Sequence, residues 1–313
     1  MAAVLHWQFF CYVLDMKAKI GVFPLLLISL LFMAPRPALA LGAVDVSLLQ
    51  RQVQILAQEI GNMKALIANS RSQAPISSTS YIAVDLDSGK VLAKSNETAQ
   101  YPIASVTKLM TAVIARQKID DSEKITLTNK MLAPYGGSPS IYSGLKISSE
   151  NLLYASLTQS VNDAAESLSY FLGKKEFLAA MNKKAKTLGM KSTAYADSTG
   201  LDEKSKSTAA DLEKLLAYIY EKDPAILEIT KDNDFWLPNA SGEMLKFQNM
   251  NGFYYHPWFI GGKTGYSPEA RQTFAAVFDV NKKPVAIVVL NSQNYQADTF
   301  KIINQTKEKL LAE

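Results

Sequence analysis

The chain predicts an α+β fold, with strands gathered near residue 80 and again beyond residue 270 and helices between them. Three observations support this. Tyr81-Ile82-Ala83-Val84-Asp85 and Val91-Leu92-Ala93 flank the turn Asp87-Ser88-Gly89-Lys90, a hairpin signal. Residues 273–279 and 285–290 are apolar strand runs around a second turn, Asn281-Lys282-Lys283-Pro284. The intervening stretch, about residues 105–225, carries mostly helical periodicity.

From the N-terminus, residues 1–40 read as a leader. Met16-Lys17-Ala18-Lys19 is a basic start, residues 20–33 are apolar, and Ala38-Leu39-Ala40 is a small-x-small cleavage site. Pro35 and Pro37 break any helix before that site. The apolar run falls short of the roughly 20 residues that span a bilayer. Cleavage after Ala40 is the expectation, with translation starting at Met16. The alternative is an uncleaved anchor through residues 20–34, the one way this chain would stay on a membrane. Leu41 as first residue of the exported protein would separate the two. Cys11 precedes the apolar run, so it is not placed as a lipoprotein acylation site.

Residues 41–68 are expected to form a heptad helix. Val46, Leu49, Val53, Leu56, Ile60, Met63 and Ile67 recur at alternating spacings of three and four, with Gln and Arg outside the seam. Two readings fit: a short coiled coil through which copies of the chain associate, or a helix lying on the following domain. Gly61 weakens the helix in either case. Residues 69–79 are polar and read as a linker. Residues 80–313 read as the main folded domain, closed by an amphipathic helix from about residue 298 to residue 311.

Composition narrows the chemistry. With 48% hydrophobic and 20% charged residues, 313 residues suit one large soluble domain with extras. The net charge of +4 comes without a Lys/Arg block, so no nucleic-acid partner is implied. The single cysteine, Cys11, lies in the leader, which excludes an internal disulfide, a Cys-ligated metal and a Cys nucleophile beyond it. The two histidines, His6 and His256, exclude a His-rich zinc site and leave a Ser-His-Asp triad only His256. His256 sits in Tyr255-His256-Pro257-Trp258 and reads as a loop or packing residue. No metal and no cofactor is called for, and lysine remains as the base for a serine nucleophile.

Three short motifs supply that pairing: Ser105-Val106-Thr107-Lys108, Ser160-Val161-Asn162 and Lys263-Thr264-Gly265. Each is weak alone. A chain of this length holds roughly one or two S-x-x-K matches by chance, and Ser143-Gly144-Leu145-Lys146 is one such decoy, in a loop running into a strand. K-T-G is rarer, on the order of one chance match in ten such chains. The ordered triplet is specific. A serine hydroxyl needs a base within hydrogen-bond reach, and Lys108 projects from the helix face that carries Ser105. Its amine must be partly neutral, which burial and a second cation, Lys263, would arrange. Ser160 and Asn162 fall inside the apolar-periodic stretch 152–172, so they can face a cleft only where that helix is interrupted or ends. There Ser160 would pass a proton to the leaving group, and Asn162 would hold Lys108 and a substrate amide. Lys263-Thr264-Gly265 fits an edge strand: Gly265 admits a substrate backbone, and Lys263 and Thr264 bind a terminal carboxylate. The N–H groups of Ser105 and Tyr266 would form the oxyanion hole. Arg271 is a further carboxylate candidate by its nearness in sequence, with a solvated strand residue as the alternative.

These residues resemble the low-molecular-mass penicillin-binding proteins, the serine D-alanyl-D-alanine carboxypeptidases, over residues 80–311. Tyr101-Pro102-Ile103-Ala104-Ser105-Val106-Thr107-Lys108-Leu109-Met110-Thr111-Ala112 is similar to that family's nucleophile helix, and Ser160-Val161-Asn162-Asp163-Ala164-Ala165 to its second motif. Ser198-Thr199-Gly200-Leu201-Asp202 and Ser207-Thr208-Ala209-Ala210-Asp211-Leu212 resemble the stretch before its third. The resemblance implies a β-lactamase/transpeptidase-like fold: an antiparallel sheet flanked by helices, with a helical subdomain and the serine at their junction. It also implies the mechanism, in which Ser105 attacks the penultimate D-Ala carbonyl of peptidoglycan stem peptides and is acylated by β-lactams, while the leader makes this an exported, periplasmic or cell-envelope enzyme. Gly262, residues 266–272 and the heptads depart from the family pattern, and no C-terminal β-domain or anchor helix is recognised. A cross-link-cleaving DD-endopeptidase of the same family can also lack that C-terminal domain and anchor helix, so carboxypeptidase and endopeptidase both stand. A class A β-lactamase would need a glutamate in the region 194–201, which has none. A catalytically silent peptidoglycan-binding protein would have no use for Lys108.

Overall fold

A computed structural model describes residues 75–311 together with Ile55, Leu56, Gln58 and Glu59. The chain divides into two units, Met1–Ala68 and Asn69–Glu313. In the first, the four described residues are helical and exposed. The leader, its cleavage site and the remaining heptad positions lie outside the described residues.

The second unit is built on a five-stranded antiparallel sheet. Its strands are Ser80–Asp85 (β1), Val91–Ser95 (β2), Phe259–Ser267 (β9), Arg271–Val280 (β10) and Lys283–Ser292 (β11), in the order β2-β1-β11-β10-β9. The two ends of the domain therefore meet at β1 and β11, paired from Ser80↔Leu290 to Asp85↔Val285. Alternation along β11 feeds two cores. Ala286, Val288 and Leu290 face one, while Val285, Ile287 and Val289 face the other. A strand buried on both faces reads as a continuous apolar run, which is why Val285-Ala286-Ile287-Val288-Val289-Leu290 shows no polar positions.

Helix Tyr295–Leu311 (α7) covers the second face with Ile302 and Ile303, three residues longer at its start than the sequence suggests. Its buried Asp298 accepts from Ser77 N at 2.8 Å, Ser77 Oγ at 2.7 Å and Ser292 Oγ at 2.6 Å. Residues 75–79, read from sequence as linker, are thereby tied to the sheet. The β10–β11 turn is two residues, not four: Asn281 and Lys282 take φ of 56° and 64°, while Lys283 and Pro284 pair with Val280 and Asp279. Positive φ at both central residues is the hairpin geometry that matches strand twist. His256 lies in an aromatic cluster beside α7, stacked 4.5 Å from Trp258 and tilted against Tyr255 at 4.4 Å, and burial lowers its pKa.

The first face carries the helices. Thr107–Lys118 (α1) is buried at every residue from Thr107 to Ala115, as a central helix must be when neighbours pack all round it. Ser149–Thr158 (α2), Asn162–Tyr170 (α3) and Lys174–Thr187 (α4) surround it. Ala209–Lys222 (α5) lies on β1, β10 and β11, and Ala225–Lys231 (α6) lies on β9. Side-chain caps begin two of these helices: Ser148 Oγ accepts from Asn151 N at 3.3 Å, and Thr208 Oγ1 from Asp211 N at 3.1 Å. Three short ribbons interrupt the helical region in ways the periodicity does not show: Tyr101–Pro102 (β3) with Lys206–Ser207 (β6), Lys124–Thr126 (β4) with Lys146–Ser148 (β5), and Phe235–Pro238 (β7) with Met244–Phe247 (β8). Lys146 of the decoy S-x-x-K belongs to β5, the strand expected after that loop, so it shares no helix face with Ser143.

Candidate active site

Ser105 sits in the 3-10 turn Ala104–Val106 that feeds α1. Ala104 holds φ of 46°, a left-handed conformation that costs a non-glycine residue about 1–3 kcal/mol and persists only where surroundings enforce it. Two glycines do so. At Gly200 (φ 82°) a Cβ would fall 1.8 Å from Ala104 O, so the loop touches the turn backbone to backbone. At Gly265 of β9 a Cβ would lie 2.9 Å from Ser105 N and 3.0 Å from Ile103 O. Thr273 Oγ1 donates to Ile103 O at 3.0 Å from the neighbouring strand. The nucleophile turn is thus wedged between the Gly200 loop and the sheet edge.

Lys108 follows one turn later and is fully buried. Its Nζ lies 2.8 Å from Ser105 Oγ, 2.6 Å from Asn162 Oδ1 and 2.9 Å from Thr199 O. Burial lowers its pKa well below the ordinary lysine value, the Lys263 cation lowers it further, and the Asp197 carboxylate opposes them. A neutral amine has two N–H groups and one lone pair. Asn162 Oδ1 and Thr199 O can only accept, so they take the two N–H groups and the lone pair is left facing the Ser105 hydroxyl.

Asn162 reaches Lys108 because the predicted helix is indeed interrupted. α2 ends at Thr158 and α3 begins at Asn162, with Ser160 at the break in a left-handed conformation, φ 62°. The loop before this motif folds over it: Asn162 N donates to Gly136 O at 2.8 Å, Asn162 Nδ2 to Tyr135 O at 2.9 Å, and Ala133 N to Asp163 Oδ1 at 2.7 Å. One N–H of Asn162 is therefore committed to Tyr135, which leaves one for the substrate amide contact expected from sequence.

Lys263, Thr264 and Gly265 lie on β9, the free edge of the five-stranded sheet. Lys263 is buried, donates to Thr264 O at 2.9 Å, and is pushed down to a pKa of about 7 by that burial. Tyr266 follows with its ring exposed. Arg271 stands across from Ser267 at the turn end of the β9–β10 hairpin, exposed at φ 52°. It makes no hydrogen bond or ion pair with the Lys108 cluster. The structure thus brings Ser105, Lys108 and Asn162 into one hydrogen-bonded group, sets Lys263 within electrostatic reach, and leaves Arg271 on the surface. Among the described residues, no cluster of His, Cys, Asp and Glu could hold a metal.

Besides the Gly136 and Tyr135 carbonyls that hold Asn162, sequence reasoning missed two participants around Lys108. The Thr199 carbonyl is a backbone atom, which no residue pattern advertises. Asp197 lies outside all three motifs, and its only signal was its place just ahead of Ser198-Thr199-Gly200-Leu201.

The family model described as D-alanyl-D-alanine carboxypeptidase matches residues 67–294. A D-alanyl-D-alanine endopeptidase of Escherichia coli is 35% identical over 242 residues, 73% of this chain and 76% of that protein. The crystal structure of a D-alanyl-D-alanine carboxypeptidase from Mycobacterium tuberculosis superimposes with a TM-score of 0.70 at 28% identity, covering 74% of this chain and 92% of that one. Penicillin-binding protein D2 of Listeria monocytogenes, solved with cefotaxime bound, gives 0.66 at 28% identity, covering 75% and 98%.

Proposed function

We propose a division of labour among the residues of this chain, which belongs to the D-alanyl-D-alanine carboxypeptidase family. The protein is a serine-type D-Ala-D-Ala carboxypeptidase acting on peptidoglycan stem peptides. The observation that carries the assignment is the buried Lys108 amine 2.8 Å from Ser105 Oγ, with two obligate acceptors on its other side.

Ser105 Oγ attacks the carbonyl carbon of the penultimate D-Ala while Lys108 takes the hydroxyl proton. The oxyanion is held by the N–H groups of Ser105 and Tyr266, and Gly265 lets the substrate backbone lie close to both. As the C–N bond breaks, the proton passes from Lys108 through Ser160 to the amine of the departing D-Ala. Water then attacks the ester carbonyl and gives a proton to Lys108, which returns it to Ser105 Oγ as the C–O bond breaks and the shortened peptide leaves with a free carboxyl group. Lys263 and Thr264 take the terminal carboxylate, and Arg271 adds a surface cation at the end of the same strand pair. β-Lactams enter the same first half-reaction and stop at the ester.

The endopeptidase name of the Escherichia coli relative favours a second reading, in which the acceptor side holds a cross-bridge instead of a free D-Ala. Incubation with a stem pentapeptide and, separately, with a cross-linked peptide dimer decides between them. D-Ala release from the pentapeptide is the expected outcome. Cleavage of the dimer alone transfers the assignment to an endopeptidase. No turnover of either, or turnover that survives Ser105→Ala, overturns both.

The leader supports export to the cell envelope, with removal after Ala40 or retention through residues 20–34 as the two forms. Among the described residues no helix is long and apolar enough to cross a membrane. Self-association through the heptad positions Val46 to Ile67 is a further proposal, resting on the seam alone.

A further inference from the structure

Asp197 belongs to none of the three motifs, yet one carboxylate closes the whole loop behind Lys108. Its Oδ1 accepts from Gly200 N at 2.7 Å and Ser205 Oγ at 3.2 Å. Its Oδ2 accepts from Thr199 Oγ1 at 2.8 Å and Asp202 N at 2.9 Å. Both residues that touch the catalytic turn are therefore strung on it: Thr199, whose carbonyl accepts from Lys108 Nζ at 2.9 Å, and Gly200, which lies against Ala104. The neighbouring Ser198 carbonyl accepts from Thr111 Oγ1 at 2.6 Å, one helical turn beyond Lys108, so the loop is pinned to α1 at two successive carbonyls. We infer that Asp197 is a positioning residue for the reaction, whose carboxylate fixes the Thr199 carbonyl on the Lys108 amine and sets a negative charge against that buried amine.

The charge has a chemical purpose. Burial and the Lys263 cation on β9 both favour neutral Lys108, and each step down in basicity makes it a weaker acceptor of the Ser105 proton. Asp197 pulls the other way and keeps the amine basic enough to work. On its outer side Asp197 shares a cavity of about 350 Å³ with Lys174, Lys175, Phe177 and Met181. Lys174 is already paired with Glu166 of α3, which also accepts from Ser198 Oγ at 3.2 Å. The charged groups around Lys108 are thus Lys263 and Asp197, with the Glu166–Lys174 pair behind them.

The inference rests on Lys108 being the base for Ser105, and one experiment separates the two. The rate of Ser105 acylation by benzylpenicillin is followed against pH for the full chain, Asp197→Asn and Asp197→Glu, each checked by thermal melting. Wild-type acylation is expected to rise with pH along an acid limb as Lys108 loses its proton. Asp197→Asn turns an amide N–H toward donors and removes the charge, so acylation on the plateau slows at least about tenfold. Its acid limb also moves to lower pH. Asp197→Glu keeps the charge but displaces the loop, so its plateau falls while its limb stays near the wild-type position. A limb unmoved in Asp197→Asn, or moved to higher pH, overturns the inference and leaves the loop purely structural. Should Asp197→Asn not fold, a full plateau rate or a displaced limb in Asp197→Glu overturns it equally. Absence of any wild-type acylation would instead remove the proposed function.

Discussion

Lys108→Met slows acylation of Ser105 by a β-lactam by about three orders of magnitude, within the roughly 10²–10⁴ range of positioned general bases. Methionine nearly preserves the volume of the buried stem, so the variant is expected to fold, and its melting curve checks that. What it removes is specific. Asn162 Oδ1 and Thr199 O lose their shared donor, and the Ser105 hydroxyl loses the lone pair facing it at 2.8 Å. The defect should be in the acylation rate and not in reversible binding, because Lys108 is fully buried and points at the nucleophile. Stopped-flow acylation rates across a penicillin concentration series make the separation. A loss confined to binding affinity would mean another group takes the proton.

Lys263→Met is expected to lose activity and gain stability together. Lys263 is buried, and its pKa is held at about 7, against about 10.4 in an unfolded chain. Between those values the unfolded state binds more protons than the folded one, so wild-type stability rises as pH rises through that window. At pH 7 nearly all of the burial cost is still present, and the variant removes up to about 4 kcal/mol of it. Its melting temperature at pH 7 should rise, and the climb of melting temperature from pH 7 to pH 10 should flatten. Loss of a charge-assisted contact to the substrate carboxylate lowers kcat/KM by about a hundredfold. Without the Lys263 cation, Lys108 also becomes more basic, so the acid limb of acylation moves to higher pH. A melting temperature that falls at pH 7 would show that Lys263 has a partner stabilising it beyond the Thr264 carbonyl.

What the sequence carried was local. Val285-Ala286-Ile287-Val288-Val289-Leu290 and Tyr81-Ile82-Ala83-Val84-Asp85 were legible as strands because burial on a sheet leaves an apolar signature in consecutive residues. The break at Ser160 was only half legible: Ser160 and Asn162 read equally as a polar helix face, and an interruption followed only from asking them to serve a cleft with the other two motifs. Pairing was not legible in the same way. Nothing in residues 80–85 says that their partner is 285–290, since that neighbour is chosen by closure of the whole chain. The short ribbons β3–β6 and β7–β8 are too brief for periodicity to reveal, and of β4–β5 only the strand after the Gly144 loop was read. The residues missing from the reading of the site act through backbone atoms or loop geometry. Thr199 offers a carbonyl, Gly136 and Tyr135 accept from Asn162, and Asp197 gathers four donors. Arg271 shows the converse, a charged residue near a motif in sequence whose side chain the fold leaves on the surface.

The most direct test of Ser105 as the activated nucleophile is the intact mass of the protein after incubation with benzylpenicillin, beside Ser105→Ala. One penicilloyl adduct on the wild type, mapped to the peptide containing Ser105 and absent from the variant, is the expected result. A folded wild type without an adduct, or an adduct that persists in Ser105→Ala, would contradict it.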